Sequence, residues 1–127
     1  MVKQNFMKVL IIEDYVAISS ALVKFLKLNS INADTAGDGR SGLSMIRAGK
    51  YDVILLDLAM PEFSGHDLIE ELIKTGEIKD LKIIINSAST FSTEDKESFI
   101  KKGIKLVLEK PVDPDLLVAK IKEFASK

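Results

Sequence analysis

Short apolar runs alternate along the chain with longer segments in which apolar residues recur at helical spacing. The runs cover residues 9–12, 31–36, 53–56, 81–85 and 106–108, and the second of them is the most polar. Such runs predict buried strands, with the polar one at a sheet edge, and the segments between them predict amphipathic helices. Strict alternation of strands and helices favours a parallel sheet with right-handed crossovers and helices on both faces. The predicted fold class is α/β, a single doubly wound domain with five strands and five helices.

Local signals predict where several helices begin and end. Asp38, Ser64 and Asp113 are predicted N-caps, because their side-chain oxygens can accept hydrogen bonds from free N–H groups of the first helical turn. Glycines at positions 49, 76 and 103 are predicted to end helices. The helix after the fourth strand is predicted to bury Phe99 and Ile100.

Composition excludes several classes of protein. The 127 residues are 46% hydrophobic and 29% charged, so we expect one soluble domain spanning residues 1–127. The net charge of -1 gives no support to direct nucleic-acid binding through a basic surface. The chain has no Cys and a single His, His66, which excludes disulfides, thiolate chemistry and multi-His metal sites. No apolar stretch is long enough for a membrane span or a signal peptide, so we expect a cytoplasmic protein.

Polar side chains follow four of the predicted strands at their carboxyl ends. They are Glu13 and Asp14, Asp57, Ser87 and Lys110. Ligands of open α/β sheets bind at this edge, so we expect these side chains to share one site. Three close carboxylates repel one another, and a single lysine cannot balance them. Because Mg²⁺ prefers oxygen ligands, the pattern predicts a Mg²⁺ site.

The same set of side chains suits phosphoryl transfer. Asp57 can act as a nucleophile and form an aspartyl phosphate, while Mg²⁺ and Lys110 neutralise the transferring group. Ser87 can donate a hydrogen bond to the bound phosphoryl group. The sequence offers no evident general base for hydrolysis. The site is therefore predicted to take up a phosphoryl group and to hold it.

The order and spacing of these residues resemble the receiver domain of two-component response regulators over essentially the whole chain. The resemblance rests on Glu13, Asp14, Asp57, Leu58, Ala59, Met60, Pro61, Gly65, Ser87, Ala88, Lys110 and Pro111. It implies a flavodoxin-like sheet of strand order 2-1-3-4-5 and a Lys110–Pro111 bond that is typically cis.

The resemblance also implies a role for each site residue. Asp57 would be the phosphoacceptor, with Glu13, Asp14, Asp57 and the backbone carbonyl of Ala59 holding Mg²⁺. Ser87 would be the switch hydroxyl, and Lys110 would be the phosphate-binding lysine. The implied partner is a histidine kinase or phosphotransfer protein, and the domain would not be an enzyme beyond its own phosphorylation and dephosphorylation.

One residue departs from the pattern of the receiver family. Three positions before the lysine, receivers usually carry Tyr or Phe as an aromatic switch, and this chain has Val107. Val is stiff at χ1 and has no ring that could rotate inward. The hydroxyl half of the usual switch is present, whereas the aromatic half is absent.

Two other functions stay open. A degenerate receiver would act as a constitutive protein-interaction module, which Val107 favours and the complete set of acids and lysine disfavours. A phosphohydrolase similar to the haloacid dehalogenases would need a second Asp two residues after the nucleophile, where this chain has Ala59. The expected function remains a phosphoacceptor signalling domain that switches the binding of a protein partner.

Overall fold

The computed structural model describes residues 6–127, and the predicted alternation of strands and helices is present. The strands are β1 (Met7–Ile12), β2 (Ile31–Ala36), β3 (Val53–Leu56), β4 (Ile83–Ser87) and β5 (Leu106–Glu109). The helices are α1 (Val16–Leu28), α2 (Gly39–Ala48), α3 (Gly65–Thr75), α4 (Thr93–Lys102) and α5 (Pro114–Ala125). The predicted domain covers residues 1–127, and its first five residues lie outside the described range.

All neighbouring strands are parallel, and their order is β2-β1-β3-β4-β5. This confirms the predicted fold class and strand order, with the polar strand β2 at an edge. β3 is central, and all four of its residues are buried, as expected for a strand covered on both faces. The sheet therefore brings the carboxyl ends of β1, β3 and β4 to one edge.

Alternating side chains of the sheet supply two separate apolar layers. Leu10 and Ile12 pack with residues from α2, α3 and α4. Val9 and Ile11 pack with residues from α1 and α5 on the opposite face. Because successive side chains of a strand point to opposite faces, one apolar run fills both layers.

Capping groups fix the helix ends that the sequence predicts. Asp38 accepts a hydrogen bond from the N–H of Ser41, and Asp113 accepts one from Leu116. Ser64 and Asp67 form a capping box at the start of α3, in which each side chain accepts a hydrogen bond from the other residue's N–H. Gly49, Gly76 and Gly103 follow α2, α3 and α4; of these, Gly76 and Gly103 adopt a left-handed conformation.

The structure corrects the prediction that α4 buries both Phe99 and Ile100. Phe99 is 9% exposed, whereas Ile100 is 49% exposed. Adjacent residues of a helix point about 100° apart, and the narrow apolar stripe of this polar helix accommodates only one of the two. A 3-10 turn at Glu77–Asp80, which buries Ile78, also interrupts the connection between α3 and β4.

None of the helices formed by residues 6–127 combines the length and apolar character that crossing a bilayer requires.

The capping box of α3 predicts a pH-dependent contribution to stability. Hydrogen bonds from the N–H and hydroxyl of Ser64 hold the pKa of Asp67 below its ordinary value of 3.8. A carboxylate with a lowered folded-state pKa stabilises the fold above about 3.8, and this stabilisation is lost as the pH falls through the lowered pKa. Asp67→Ala should therefore lower the free energy of unfolding at pH 7, and its difference from wild type should shrink below pH 4.

Urea unfolding of both proteins across this pH range measures the difference. The control is Asp115→Ala, which removes an acidic residue from the first turn of α5 outside any capping box. Equal stability of Asp67→Ala and wild type at pH 7 would contradict the expected role of the box.

Candidate functional site

The acidic residues meet because β1 and β3 are neighbours in register. Ile12 pairs with Leu56, so Glu13 and Asp57 each follow a paired residue. The N–H of Asp57 donates a hydrogen bond to the carbonyl of Ile12 at 3.0 Å, which extends the ladder by one rung. Asp14 is the next residue after Glu13. Backbone pairing alone therefore brings these carboxylates close together, without help from side-chain contacts.

The three carboxylates lie close enough to share a cation. Glu13, Asp14 and Asp57 each offer an oxygen, and these atoms lie within 4.8 Å of one another. Glu13 and Asp57 are 5% and 7% exposed, whereas Asp14 is exposed. Mg²⁺ holds oxygen ligands at about 2.0–2.1 Å, so two of its ligands are at most about 4.2 Å apart. The cluster needs only small adjustments to fit such an ion.

Lys110 reaches this cluster from the end of β5. Its ammonium contacts Glu13 Oε1 at 2.5 Å and lies 4.0 Å from Asp57 Oδ2. The side chain is 18% exposed, and the Lys110–Pro111 bond is cis. One ammonium among three ionised carboxylates leaves a formal charge of -2. The site therefore still attracts a further cation.

Ser87 ends β4 at the same edge of the sheet. It is fully buried, and its hydroxyl accepts a hydrogen bond from the N–H of Ser89 at 3.3 Å. Its carbonyl accepts a hydrogen bond from the N–H of Lys110 at 2.7 Å. Among residues 6–127, the Ser87 hydroxyl donates to no acceptor, so its proton is available to a ligand.

The loop after β3 holds the carboxylate of Asp57 through backbone groups. Asp57 Oδ1 accepts a hydrogen bond from the N–H of Ala59 at 3.3 Å. Gly65, the first residue of α3, donates its N–H to the carbonyl of Leu58 at 3.1 Å. A Cβ at Gly65 would lie 2.5 Å from the Asp57 carbonyl oxygen, so only glycine permits this approach.

Two polar residues that the sequence did not predict as part of the site, Glu109 and Asn86, lie beside it. Glu109 accepts a hydrogen bond from the N–H of Phe91 at 3.4 Å and pairs with the ammonium of Lys96 at 3.3 Å. Asn86 is 7% exposed, and its Oδ1 has no hydrogen-bond partner among the described residues. A polar residue inside a buried strand was the available signal for Asn86, whereas no sequence signal links Glu109 to Phe91.

The chain matches the sequence model described as the response regulator receiver domain over residues 9–122. Among curated proteins, it is 32% identical over 119 residues to the aerobic respiration control sensor protein ArcB of Escherichia coli. That match covers 85% of this chain and 15% of the relative. The chain thus spans under a sixth of that relative's length.

Solved structures agree with the fold over nearly the whole chain. The receiver domain of the Francisella response regulator 1452 has a TM-score of 0.85 at 32% identity, covering 94% of this chain and 97% of its own. The response regulator protein TrrA of Thermotoga maritima, solved in complex with Mg²⁺-BeF, has a TM-score of 0.80 at 28% identity. That similarity covers 94% of this chain and 99% of TrrA.

The contact at Gly65 predicts that a single methyl group disturbs the site. In Gly65→Ala, the added Cβ would collide with backbone atoms of Asp57 and Leu58, which cannot turn away as a flexible side chain would. Overpacking of this kind costs about 1–3 kcal/mol. We expect a loss of that size in urea unfolding, together with altered amide chemical shifts at Asp57.

Gly37→Ala provides the control for this substitution, because a Cβ there would meet no atom within 4 Å. Unchanged stability and unchanged Asp57 shifts in Gly65→Ala would show that the loop after β3 adapts freely.

Proposed function

Because the chain belongs to the response regulator receiver domain family, we propose that Asp57 accepts a phosphoryl group from a histidine kinase or phosphotransfer protein. The reaction is Mg²⁺-dependent, and phosphorylation switches the binding of a protein partner. The main support is the environment of Asp57, a buried carboxylate with two further acids within 4.8 Å and an ammonium at 4.0 Å. A carboxylate in such surroundings is expensive unless it is paired, bound to metal or used chemically.

The proposed reaction is an in-line displacement at phosphorus. A carboxylate oxygen of Asp57 forms a bond to the phosphorus, and the bond to the donor's imidazole nitrogen breaks, with its electron pair going to that nitrogen. Mg²⁺, when held by Glu13, Asp14, Asp57 and the Ala59 carbonyl, supplies positive charge for the phosphoryl oxygens. The structure describes a contact of Asp57 with the Ala59 N–H, and the role of the Ala59 carbonyl stays a prediction.

Lys110 and Ser87 act on the phosphoryl group once it is attached. The ammonium of Lys110 is on Glu13 in the structure and needs to move only a few ångströms to reach a phosphoryl oxygen at Asp57. There it acts as a point charge. Ser87 donates its hydroxyl proton to another phosphoryl oxygen, which draws the loop after β4 toward Asp57.

Slow loss of the phosphoryl group follows from the surrounding residues. The single histidine, His66, lies on α3 with its ring 6.0 Å from that of Phe99. The neighbouring carboxylates of Glu13 and Asp14 lie within 4.8 Å of Asp57, and in the proposed site they are ligands of Mg²⁺ rather than bases for water. The domain therefore holds the phosphoryl group and acts as a signalling module in the cytoplasm rather than as an enzyme.

A constitutive interaction module is the second candidate function, and Val107 favours it. Val107 is 8% exposed, and its side chain cannot act as an aromatic switch. A phosphohydrolase is disfavoured by Ala59 at the position of the second Asp. Phosphorylation experiments separate the phosphoacceptor from the constitutive module, because the constitutive module does not require a phosphorylated state.

Phosphorylation should occur at Asp57 alone. Wild type incubated with Mg²⁺ and a small phosphodonor such as acetyl phosphate should gain the mass of one phosphoryl group. Asp57→Asn should gain none, because an amide is not a comparable nucleophile. Intact-mass spectrometry measures both. A full adduct on the Asn variant would place the phosphorylation site elsewhere, and no adduct on wild type would favour the constitutive module.

Mg²⁺ binding should depend on Asp14. This acid is exposed, so Asp14→Asn removes a ligand charge without disturbing the core. Loss of a residue that only hydrogen-bonds a metal ligand lowers metal affinity by roughly 10- to 100-fold. Loss of a ligand itself should lower Mg²⁺ affinity by at least as much. Isothermal titration with Mg²⁺ measures the change. Asp80→Asn is the control, since Asp80 is exposed in the turn before β4, at the opposite edge of the sheet. Equal affinities of Asp14→Asn and wild type would exclude Asp14 as a ligand.

A further inference from the structure

One carboxylate oxygen of Glu109 connects the loop after β4 to both α4 and β5. Glu109 Oε2 accepts a hydrogen bond from the backbone N–H of Phe91 at 3.4 Å. The same oxygen lies 3.3 Å from the ammonium of Lys96, the fourth residue of α4. Both contacts are partly exposed, with the two charged side chains 35% and 45% exposed. They form a small bridge on the surface above the end of β4.

The loop that this bridge reaches has few other hydrogen bonds. Within the described range, residues 88–91 make two: Ser89 N–H to Ser87 Oγ, and Phe91 N–H to Glu109. The next capping hydrogen bonds are those of Ser92, the N-cap of α4. Segments with few internal hydrogen bonds open at low free energy. The contact with Glu109 is therefore a large share of what fixes the conformation of this loop.

The aromatic ring of Phe91 provides the other anchor of the loop. It packs edge-on against Phe99 of α4, with ring centroids 5.8 Å apart at 89°. Val107 belongs to the buried cluster against which Phe91 packs. Because Val107 supplies no ring of its own, Phe91 is the residue of the loop after β4 that makes an aromatic contact at this point.

Glu109 is also fixed to the residue whose movement the proposed function requires. Ser87 and Glu109 are directly paired in the β4–β5 ladder. The N–H of Lys110 then donates to the Ser87 carbonyl at 2.7 Å. The backbone of Glu109 is thus paired with Ser87, while its carboxylate contacts Phe91, four residues further along the chain. If the loop follows the Ser87 hydroxyl toward Asp57, the contacts at Oε2 must break.

We propose that Glu109 is a positioning residue that holds the loop after β4 in its unphosphorylated arrangement, through the Phe91 N–H and the Lys96 ammonium. This inference rests on the proposed function, since it concerns the same loop. Contacts present in only one of two states shift their equilibrium toward that state. Glu109 therefore opposes the phosphorylated arrangement, and its removal favours that arrangement.

The expected effect is modest, because an exposed ion pair and one long hydrogen bond contribute little. Loss of both should raise the affinity for a phosphoryl mimic by about two- to tenfold. Glu109→Leu removes both contacts, whereas Glu109→Gln keeps a hydrogen-bond acceptor and loses the charge. Lys96→Met removes only the ion pair, so it should match Glu109→Gln.

The experiment titrates beryllofluoride into each ¹⁵N-labelled protein at saturating Mg²⁺ and follows the amide signals around Asp57. Hydrogen exchange of the Phe91 amide, measured without beryllofluoride, should be faster in Glu109→Leu than in wild type. Urea unfolding is measured in parallel to separate positioning from stability. Glu123→Gln is the matched control, because Glu123 pairs with Lys120 at 3.3 Å on α5 at similar exposure.

The expected order of affinity is Glu109→Leu above Glu109→Gln and Lys96→Met, which lie above wild type and Glu123→Gln. If Glu109→Leu fails to fold, the other two variants carry the test. Unchanged or weaker binding in the Glu109 and Lys96 variants, beside normal wild-type binding, overturns the role of Glu109 alone. An equal gain in Glu123→Gln overturns it too, since the effect would then be one of net charge. No binding by wild type overturns the proposed function itself.

Discussion

The ion pair between Lys110 and Glu13 is the interaction on which the arrangement of the site depends. Glu13 is 5% exposed, and burying an unpaired carboxylate is costly. The ammonium at 2.5 Å offsets that cost, and the pair joins β1 to the end of β5 across the two strands between them. Breaking a buried pair by removing one partner typically destabilises by about 3–5 kcal/mol. A cation bound at the acid cluster can take over the neutralisation of Glu13 and so free Lys110 for another ligand.

Backbone geometry explains why these groups meet at all. Parallel pairing of β1, β3, β4 and β5 sends their carboxyl ends to one edge, and two apolar layers fix the sheet from either side. The charged groups lie directly after the apolar strands. The pairing register of the strands therefore fixes both the packing of the core and the positions of the site residues. Close approach at Gly65 then brings the start of α3 against the loop after β3, which restricts the backbone of Asp57. The carboxylates therefore stay close together despite their repulsion, because the packing of the rest of the domain fixes their positions.

Features that depend on periodicity and on local capping were predictable from the sequence, whereas features that depend on side-chain contacts across elements were not. The alternation of strands and helices and the caps at Asp38 and Ser64 follow from short-range rules. The strand order was implied only by the resemblance to the receiver domain. Ile100 was misplaced because adjacent apolar residues on a helix compete for one narrow stripe, and periodicity alone does not decide between them. The contact of Glu109 with Phe91 joins residues 18 positions apart on two elements, and no sequence rule anticipates it.

The position of Val107 changes how movement can pass from the site to α4. Val107 belongs to the buried cluster that includes Phe99 and against which Phe91 packs, and its β-branched side chain is restricted at χ1. Under the proposed function, a displacement of Ser87 would pass along the backbone of residues 88–92 to the capping box of Ser92 and Asp95. This segment includes Phe91, whose ring packs against Phe99 and whose N–H donates a hydrogen bond to Glu109. Because β5 carries no aromatic ring that could rotate, the proposed function makes the loop after β4 the moving part. The contacts that restrain this loop would then set the free-energy cost of its movement.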